Sequence, residues 1–532
     1  MKTVYITLIA FIAAITVSAQ QTQTPVDQMQ LHKLLLAESA IKQLYVDSIN
    51  EEKVVEDAIR GMLQQLDPHS AYASAKEVKA LNEPLEGNFE GIGVQFNMID
   101  DTLLVVQPVS GGPSEKVGIV AGDRIITVND SSIAGKKLST DDIKKCLRGP
   151  KGSKVRLGIM RQGVKGIHTF TVTRDKIPVF SIDAKYMVDA TTGYIRINNF
   201  GATTHEEFVT AVHMLQDHGM RDLILDLQSN GGGYLQAAID ISNEFLDRGD
   251  LIVFTEGRVM NRQDYRANGN GIMREGRVVV LIDSYTASAS EIVTGAIQDN
   301  DRGLVVGRRS FGKGLVQRPI DMPDGSMIRL TTAHYYSPSG RCIQRPYVKG
   351  KREDYDKDLL DRLNSGELTN ADSIHFADSL KYTTLKNQRT VYGGGGIMPD
   401  AYVPLDTTRI TRLHRELLAK SCVVPACLRY VEKNRKHILS KYKTFEAFRD
   451  NYEVEQSVID QILDNAQKAK VEYTDSMLQA TLPMLRLQTK ALIARDVWDM
   501  NEYYQVYNQS NEIYNTGVAT IKEDDYYDKL TM

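Results

Sequence analysis

The spacing of apolar and polar positions changes several times along this chain. Over residues 31–66 the apolar positions keep helical spacing, with Leu34, Ile41, Leu44 and Tyr45 in one group and Val55, Ile59, Met62 and Leu66 in a second. Pro68, in LDPHSAY, stops the second helix. The polar stretch before them, residues 20–30, reads as a flexible leader. From 85 to 177 the runs become strand-like: GIGVQFNMI, TLLVVQPV, DRIITVN, KVRLGIM and HTFTVTR, broken by Gly, Pro and Asn. One helix interrupts them, with Ser139 as N-cap, Asp142 three residues on and Gly149 at its end. These short strands and single helix predict a small, partly open barrel.

Residues 193–313 alternate differently. Strand GYIRINNF precedes a helix near 204–218 with Phe208, Val212 and Leu215 on one face. LILDLQ leads through SNGGG into YLQAAIDISNEFL, and RVVVLID leads through SYTAS into ASEIVTGAIQD, followed by GLVVG. Strand–helix alternation of this kind predicts a mostly parallel sheet with helices packed on it. Residues 346–390 are charged and irregular and read as a surface insertion. From 407 to the end the pattern is helical, with Pro483 as a kink or boundary. The fold class is therefore α+β and multidomain, divided as 1–19, 20–84, 85–177, 178–406 and 407–532.

Composition narrows the classes. A chain of 532 residues is too long for one ordinary core. Its 64 Lys and Arg against 68 Asp and Glu give no basic field for nucleic acid or an acidic membrane surface. Lys2, the apolar run 4–17 and the small residues Val17-Ser18-Ala19 have the form of a secretory signal cleaved near Ala19. That run is short of the about 20 residues a membrane span needs. The expectation is an exported protein of the periplasm or cell envelope. Four Cys make no disulfide framework at this length, although Cys422 and Cys427 are candidates for pairing in an oxidising compartment. His205-Glu206-Glu207 begins like a zinc-protease motif, but Val209 stands where the second His belongs, so no metal or other cofactor is expected.

The chemistry concentrates in GRRSFGKGLVQ, residues 307–317. It approaches a phosphate-binding loop, yet Gly314 replaces the Ser or Thr that holds magnesium, and Pro319 and Pro323 bar the helix such a loop requires. Lys313 therefore needs another task. Upstream, Thr286-Ala287-Ser288-Ala289-Ser290-Glu291 forms a Ser-rich turn between strand and helix. A serine there lies at a helix N-terminus, where developing negative charge is favoured. A lysine with a pKa depressed by burial can act as its base. The local sequence also admits a blander reading, in which Ser288 caps a helix and Lys313 is a surface charge. Ser284, Ser290 and Ser310 lie nearby, and His334 is the rival base, but no G-x-S-x-G elbow occurs.

TASASEIVTGAIQD followed by GRRSFGKGLVQ resembles the signature of the carboxyl-terminal processing peptidases, or tail-specific proteases. LILDLQSNGGGYL is similar to the family's strand and Gly-rich loop. FEGIGVQF through VGIVAGDRIITVN is similar to its PDZ domain, and LTTAHYYSPSGRCIQ, GGGIMPDAYVP and LDPHSAY to other segments, over about residues 30–405. The resemblance implies a PDZ domain beside a ClpP/crotonase-like peptidase core. It implies Ser288 as nucleophile, Lys313 as general base and Gln317 as the residue orienting the lysine. The oxyanion donors would be the N–H groups of Ala289 and of a glycine in 231–233, with Gly232 favoured. Asn230-Gly231-Gly232-Gly233 departs from the family's Asn-Pro-Gly-Gly, and Thr286 stands where a first Ser is common. The Gly91-Ile92-Gly93-Val94 loop would present N–H groups to a substrate carboxylate, and Arg148 would be a gating contact. The implied substrates are unfolded or C-terminally exposed proteins and peptides, with an adaptor and a homo-oligomer through the C-terminal helices as further partners. The competing function is a PDZ peptide-binding scaffold with a silent peptidase fold.

Overall fold

The computed structural model describes residues 25–531. The expected export signal lies outside the described residues. The chain already enters a helix at Pro25–Leu44, so the second half of the expected leader is helical. That helix exposes Leu34, Leu35, Leu36 and Leu44. A second helix, Glu51–Gln64, starts at Asn50, whose side chain accepts the Lys53 N–H, and ends before Pro68. No helix among the described residues is long and apolar enough to cross a membrane.

The barrel-like unit is one antiparallel sheet ordered Val94–Ile99, Thr102–Pro108, Arg124–Val128, Lys154–Met160 and Ile167–Thr173, with Ser131–Ser132 paired at its side. Ile125, Leu157, Ile159 and Val172 fill its core together with Ile143 of the helix Thr140–Leu147. Ser139 caps that helix by accepting the Asp142 N–H at 3.2 Å.

The strand–helix region is built on a six-stranded sheet. Ile182–Met187 pairs antiparallel with Thr192–Ile197; then Asp222–Asp226, Val278–Ile282, Leu304–Gly307 and Ala401–Tyr402 follow in parallel. All five residues of Val278–Ile282 are buried, as a parallel strand covered on both faces requires. Val278, Val280 and Ile282 face the helices Thr204–Asp217, Leu235–Asn243 and Ala289–Asp299. Val279 and Leu281 face Ile513, Ile521 and Tyr526 from the end of the chain. A Cβ on Gly517 would meet Leu281 at 2.5 Å, so the helix Glu512–Lys522 reaches its close approach to the sheet through a glycine. Tyr526 completes the cover: its hydroxyl donates to the Val278 carbonyl at 2.7 Å and accepts the Val278 N–H at 3.0 Å. A second, five-stranded sheet carries Leu315–Asp321 against Met327–Tyr336, which also pairs with Ala71–Ala73 of the N-terminal region.

The C-terminal helices bury their apolar faces in a core of their own and against the rest of the chain. Leu428 packs on Ile99 and Leu104 of the PDZ-like sheet. Arg124 donates to both carboxylate oxygens of Glu432, and Arg429 to Asp100. The helix Asp475–Val497 continues through Pro483. All four cysteines are free thiols. Cys422 and Cys427 belong to one helix, Val423–Lys441 and its N-cap. A rise of about 1.5 Å per residue sets them beyond the about 7 Å that a disulfide can bridge.

The segment expected to be a surface insertion is a braced one. It forms the helices Arg352–Asp356 and Asp358–Asn364, and buries Tyr355 and Arg362. One of its charges is not solvated: the Arg362 guanidinium lies on backbone carbonyls of residues 309–311.

Candidate active site

Three loops leave the carboxyl ends of neighbouring parallel strands, where open α/β sheets gather their functional groups. The strands are Asp222–Asp226, Val278–Ile282 and Leu304–Gly307, adjacent in the sheet.

The first loop is organised by Asn230, which is fully buried. Its side chain donates to the Ile197 carbonyl at 2.8 Å and accepts the Gly232 N–H at 2.8 Å. Its own carbonyl accepts the Ala287 N–H at 2.9 Å and the Ser290 hydroxyl at 3.1 Å. The Gly-rich loop is thereby fastened to the Ser-rich turn. Gly232 has φ 97°, and a Cβ there would stand 2.8 Å from the Ser288 Cβ and 2.9 Å from the Ala289 nitrogen. Glycine is required on both counts.

The second loop turns from Val278–Ile282 into the helix Ala289–Asp299. Asp283 accepts the N–H groups of Ser229, Tyr285 and Thr286 on one oxygen and the Ser229 hydroxyl on the other. Ser288 is the N-cap of the helix and has φ 58°, a left-handed conformation that costs a non-glycine residue of order 1–3 kcal/mol. The Ala289 N–H makes no hydrogen bond among the described residues. The positive end of a helix therefore lies beside the serine.

The third loop carries the lysine. The Phe311 N–H donates to the Thr286 carbonyl at 2.9 Å, pinning this loop to the serine turn. Glu291 then joins the two more firmly. It is 1% exposed, and its Oε2 accepts the N–H of Ser288 at 2.8 Å and of Lys313 at 2.9 Å. Its Oε1 accepts the Ser310 hydroxyl at 2.5 Å and the Gly312 N–H at 2.7 Å. Burial pushes this carboxyl up, against the pull of those four donors.

Lys313 Nζ donates to Gln317 Oε1 at 3.2 Å, and Gln317 Nε2 donates to the backbone carbonyl of His69. Burial, and secondly the charge of Arg329, bring Lys313 down to about 8, while Glu291 and Asp67 act in the other direction. The amine is thus uncharged in a sizeable fraction of molecules at mildly alkaline pH. No hydrogen bond joins Lys313 Nζ to Ser288 Oγ among the described residues. The Ser288 carbonyl accepts the Tyr335 hydroxyl at 3.2 Å.

Ser288, Ala289, Gly232, Lys313 and Gln317 therefore lie in one connected network of loops. One expectation is altered. The Gly232 N–H already donates to Asn230 Oδ1, so it serves an oxyanion only if that turn opens, whereas the next N–H, of Gly233, has no hydrogen-bond partner among the described residues. Among the described residues the N–H groups of Ile92 and Gly93 in the Gly91–Val94 loop have no hydrogen-bond partner, and they lie at the end of a groove of about 280 Å³ that Phe89, Phe96, Leu147 and Lys144 help to line. Arg148 is turned to Glu83 and lies 4.6 Å over the Phe89 ring, making no hydrogen bond to Ser288, Lys313 or Gln317. Ser290 and Ser310 are committed to Asn230 and Glu291. The His334 ring faces the Cys342 sulfur at 3.9 Å.

Two participants were missed in the sequence. Glu291 read as an ordinary acid in a first helical turn, and only its three-residue offset from Ser288 hinted at a capping carboxylate. His69, in LDPHSAY, carried no local signal for a contact with Gln317, 248 residues away in the chain.

Comparison with known proteins agrees with this architecture. A model of peptidase family S41 matches residues 191–354, and a PDZ domain model matches residues 91–173. The N-terminal domain model of the activating protease CtpB matches residues 10–77, and a family of unknown function, DUF8443, matches residues 413–499. Carboxy-terminal processing protease CtpA of Bacillus subtilis is 36% identical over 334 residues, covering 61% of this chain and 70% of that protein. The carboxy-terminal-processing protease of Bartonella bacilliformis is 35% identical over 352 residues, covering 64% and 80%. Carboxy-terminal processing protease CtpB of Bacillus subtilis is 35% identical over 332 residues, covering 61% and 68%. Core and attached module together define a serine protease with a PDZ domain. The chain belongs to the carboxy-terminal processing proteases of peptidase family S41.

Proposed function

We propose that this chain is an exported endopeptidase that cleaves proteins at or near their C-termini through Ser288 and Lys313. The observation that carries the reading is the shared carboxylate of Glu291. It fixes the backbones of both residues to one oxygen while Gln317 holds the lysine amine. A buried lysine amine and a serine with strained backbone at a helix entry both oppose stability, and features of this kind gather at functional sites.

In the proposed reaction, neutral Lys313 takes the Ser288 proton as Oγ attacks a peptide carbonyl. A bond forms between Oγ and the carbonyl carbon. The oxyanion is received by the Ala289 N–H and an N–H of the Gly-rich loop, donors whose loss costs about 3–4 kcal/mol in comparable sites. The protonated amine returns its proton to the leaving nitrogen, and the C–N bond breaks. Water then attacks the acyl carbon as Lys313 takes its proton; the bond from that carbon to Ser288 Oγ breaks, and Lys313 returns the proton to Oγ, releasing the carboxylic acid product. The PDZ groove would receive the substrate C-terminus by strand addition, its carboxylate meeting the N–H groups of Ile92 and Gly93. Arg148 would gate the site by exchanging Glu83 for a contact nearer the lysine.

The test is hydrolysis of an unfolded protein by the wild type, Ser288→Ala and Lys313→Ala. Loss of cleavage in both variants with peptide binding kept supports the reading. Equal activity in all three refutes it. A wild type that binds C-terminal peptides and cleaves nothing favours the silent scaffold. Export is tested separately, by whether residues 1–19 direct a reporter out of the cytoplasm and are removed.

A further inference from the structure

A series of contacts leads from the insertion to the amine of Lys313. Gln317, which accepts from that amine, donates to the His69 carbonyl. His69 is held from two sides. Its N–H donates to Asp67 Oδ1 at 2.8 Å, and its ring Nε2 shares a hydrogen bond of 2.8 Å with the Tyr355 hydroxyl. Tyr355 is 5% exposed and sits on the helix Arg352–Asp356, just past the end of the segment matched by the S41 model. Its ring stands at 88° to the His69 ring, with centroids 5.2 Å apart. Arg345 lies 3.7 Å over the Tyr355 ring and 4.0 Å over Phe311, and donates to the Tyr355 carbonyl at 3.0 Å. The next helix brings Arg362, which donates to the Ser310 carbonyl at 2.8 Å. Both flanks of the lysine segment therefore rest on the insertion.

We propose that Tyr355 is a positioning residue for Lys313: by anchoring the His69 ring it fixes the carbonyl that holds Gln317, and so fixes the direction of the lysine amine. This rests on the Ser288–Lys313 reading above. The Tyr355 hydroxyl also accepts Gln344 Nε2 at 3.4 Å, but its 2.8 Å contact with His69 is the shorter one and the one that leads to Gln317. Around the lysine stand Glu291 on the serine helix, Arg329 on the paired strand, and Asp67 and His69 from the N-terminal segment. Burial, and next the lysine charge, hold His69 down to about 3, so its ring is neutral at any working pH and does not compete with Lys313 for the proton.

The experiment is a double-mutant cycle in the full chain, Tyr355→Phe and Gln317→Ala, read as kcat and KM on a quenched fluorescent peptide, with thermal midpoints as the folding control. Tyr355→Phe alone is expected to lower kcat about tenfold with KM unchanged, the scale of a modest misalignment of a reacting group. In the Gln317→Ala background it is expected to have almost no further effect. Equal factors in both backgrounds, an unchanged kcat, or an effect on KM alone would overturn the inference. Should Tyr355→Phe fail to fold, His69→Phe takes its place in the same cycle, with the same expected and overturning results. If Ser288→Ala or Lys313→Ala keeps full activity, the dyad itself fails. If both are inactive and the cycle is multiplicative, only the role of Tyr355 falls.

Discussion

Ser288 and Lys313 hang from one atom: Oε2 of Glu291 accepts the backbone N–H of the serine at 2.8 Å and of the lysine at 2.9 Å. The two residues come from loops after different strands, so nothing local sets their separation. A single carboxylate with almost no exposure does so, and it cannot move toward solvent to relax. Position is thereby fixed at the backbone, while Gln317 fixes the lysine at its tip.

Glu291→Gln tests that clamp. The amide can present one acceptor and turns an NH2 toward N–H groups that had a partner. The expected loss is about 3 kcal/mol of stability, the scale of breaking buried charge-assisted hydrogen bonds. Cleavage should fall with it, even at temperatures where the variant is folded. Denaturant unfolding and peptide hydrolysis on the same preparation check both; a variant with wild-type stability and rate contradicts the clamp.

Gln317→Ala removes the acceptor at the lysine tip and leaves the backbone frame alone. The expected result is a kcat lower by about tenfold or more with KM little changed, as for a group that directs a base without binding substrate. Steady-state kinetics decide it. A rise in KM at constant kcat would place Gln317 in substrate binding instead.

Gly232→Ala puts a methyl 2.8 Å from the Ser288 Cβ at a residue with φ 97°. Both the clash and the backbone conformation oppose it. Activity should drop by about a hundredfold or more, because the methyl would force the Gly-rich loop and the serine turn apart and displace the N–H groups proposed to receive the oxyanion. Hydrolysis rates with a folding control measure this. A rate near wild type would show that the Gly-rich loop does not approach the serine in the working state.

Arg124 and Glu432 mount the PDZ domain on the C-terminal helices through two hydrogen bonds of 3.0 and 2.9 Å. Arg124→Glu should loosen that mounting, and Glu432→Arg in the same chain should restore it. The readout is protease nicking between the PDZ domain and the core, residues 173–182. Equal susceptibility of wild type, single and double variants would mean that this pair does not hold the domain.

Much of the core was legible because parallel strands buried on both faces must be apolar throughout. RVVVLID and GLVVG admit few other readings. Ser288 and Lys313 were candidates from the strand–turn–helix and the barred phosphate loop, with other serines nearby left open, and the family resemblance singled them out. Glu291 was not, since an acid in a first turn is ordinary and its second set of partners arrives from 19 to 22 residues later. Tyr355 and Arg362 were hidden for a related reason. A charged stretch reads as solvated until the tertiary structure supplies buried carbonyls and rings for its side chains. Pro483 is not a helix boundary, since one helix spans it and packs into the C-terminal core on both sides, through Leu478 and Leu482 before it and Leu485 and Leu492 after it. The cover of the sheet by Tyr526 and the helix before it was likewise invisible, being a contact of 248 residues' separation.

The central claim is that the uncharged amine of Lys313 activates the hydroxyl of Ser288. Its most direct measurement is the rate of covalent labelling of Ser288 by a fluorophosphonate, mapped by peptide mass spectrometry, as a function of pH in wild type and Lys313→Ala. Burial brings Lys313 below the ordinary lysine range, to about 8, and in the proposed reaction the deprotonated form is the base. The wild-type rate should therefore rise with pH and level off above a midpoint near that value, while Lys313→Ala labels slowly and without that midpoint. Labelling of Ser288 at the same rate and with the same pH dependence in both proteins would contradict the account.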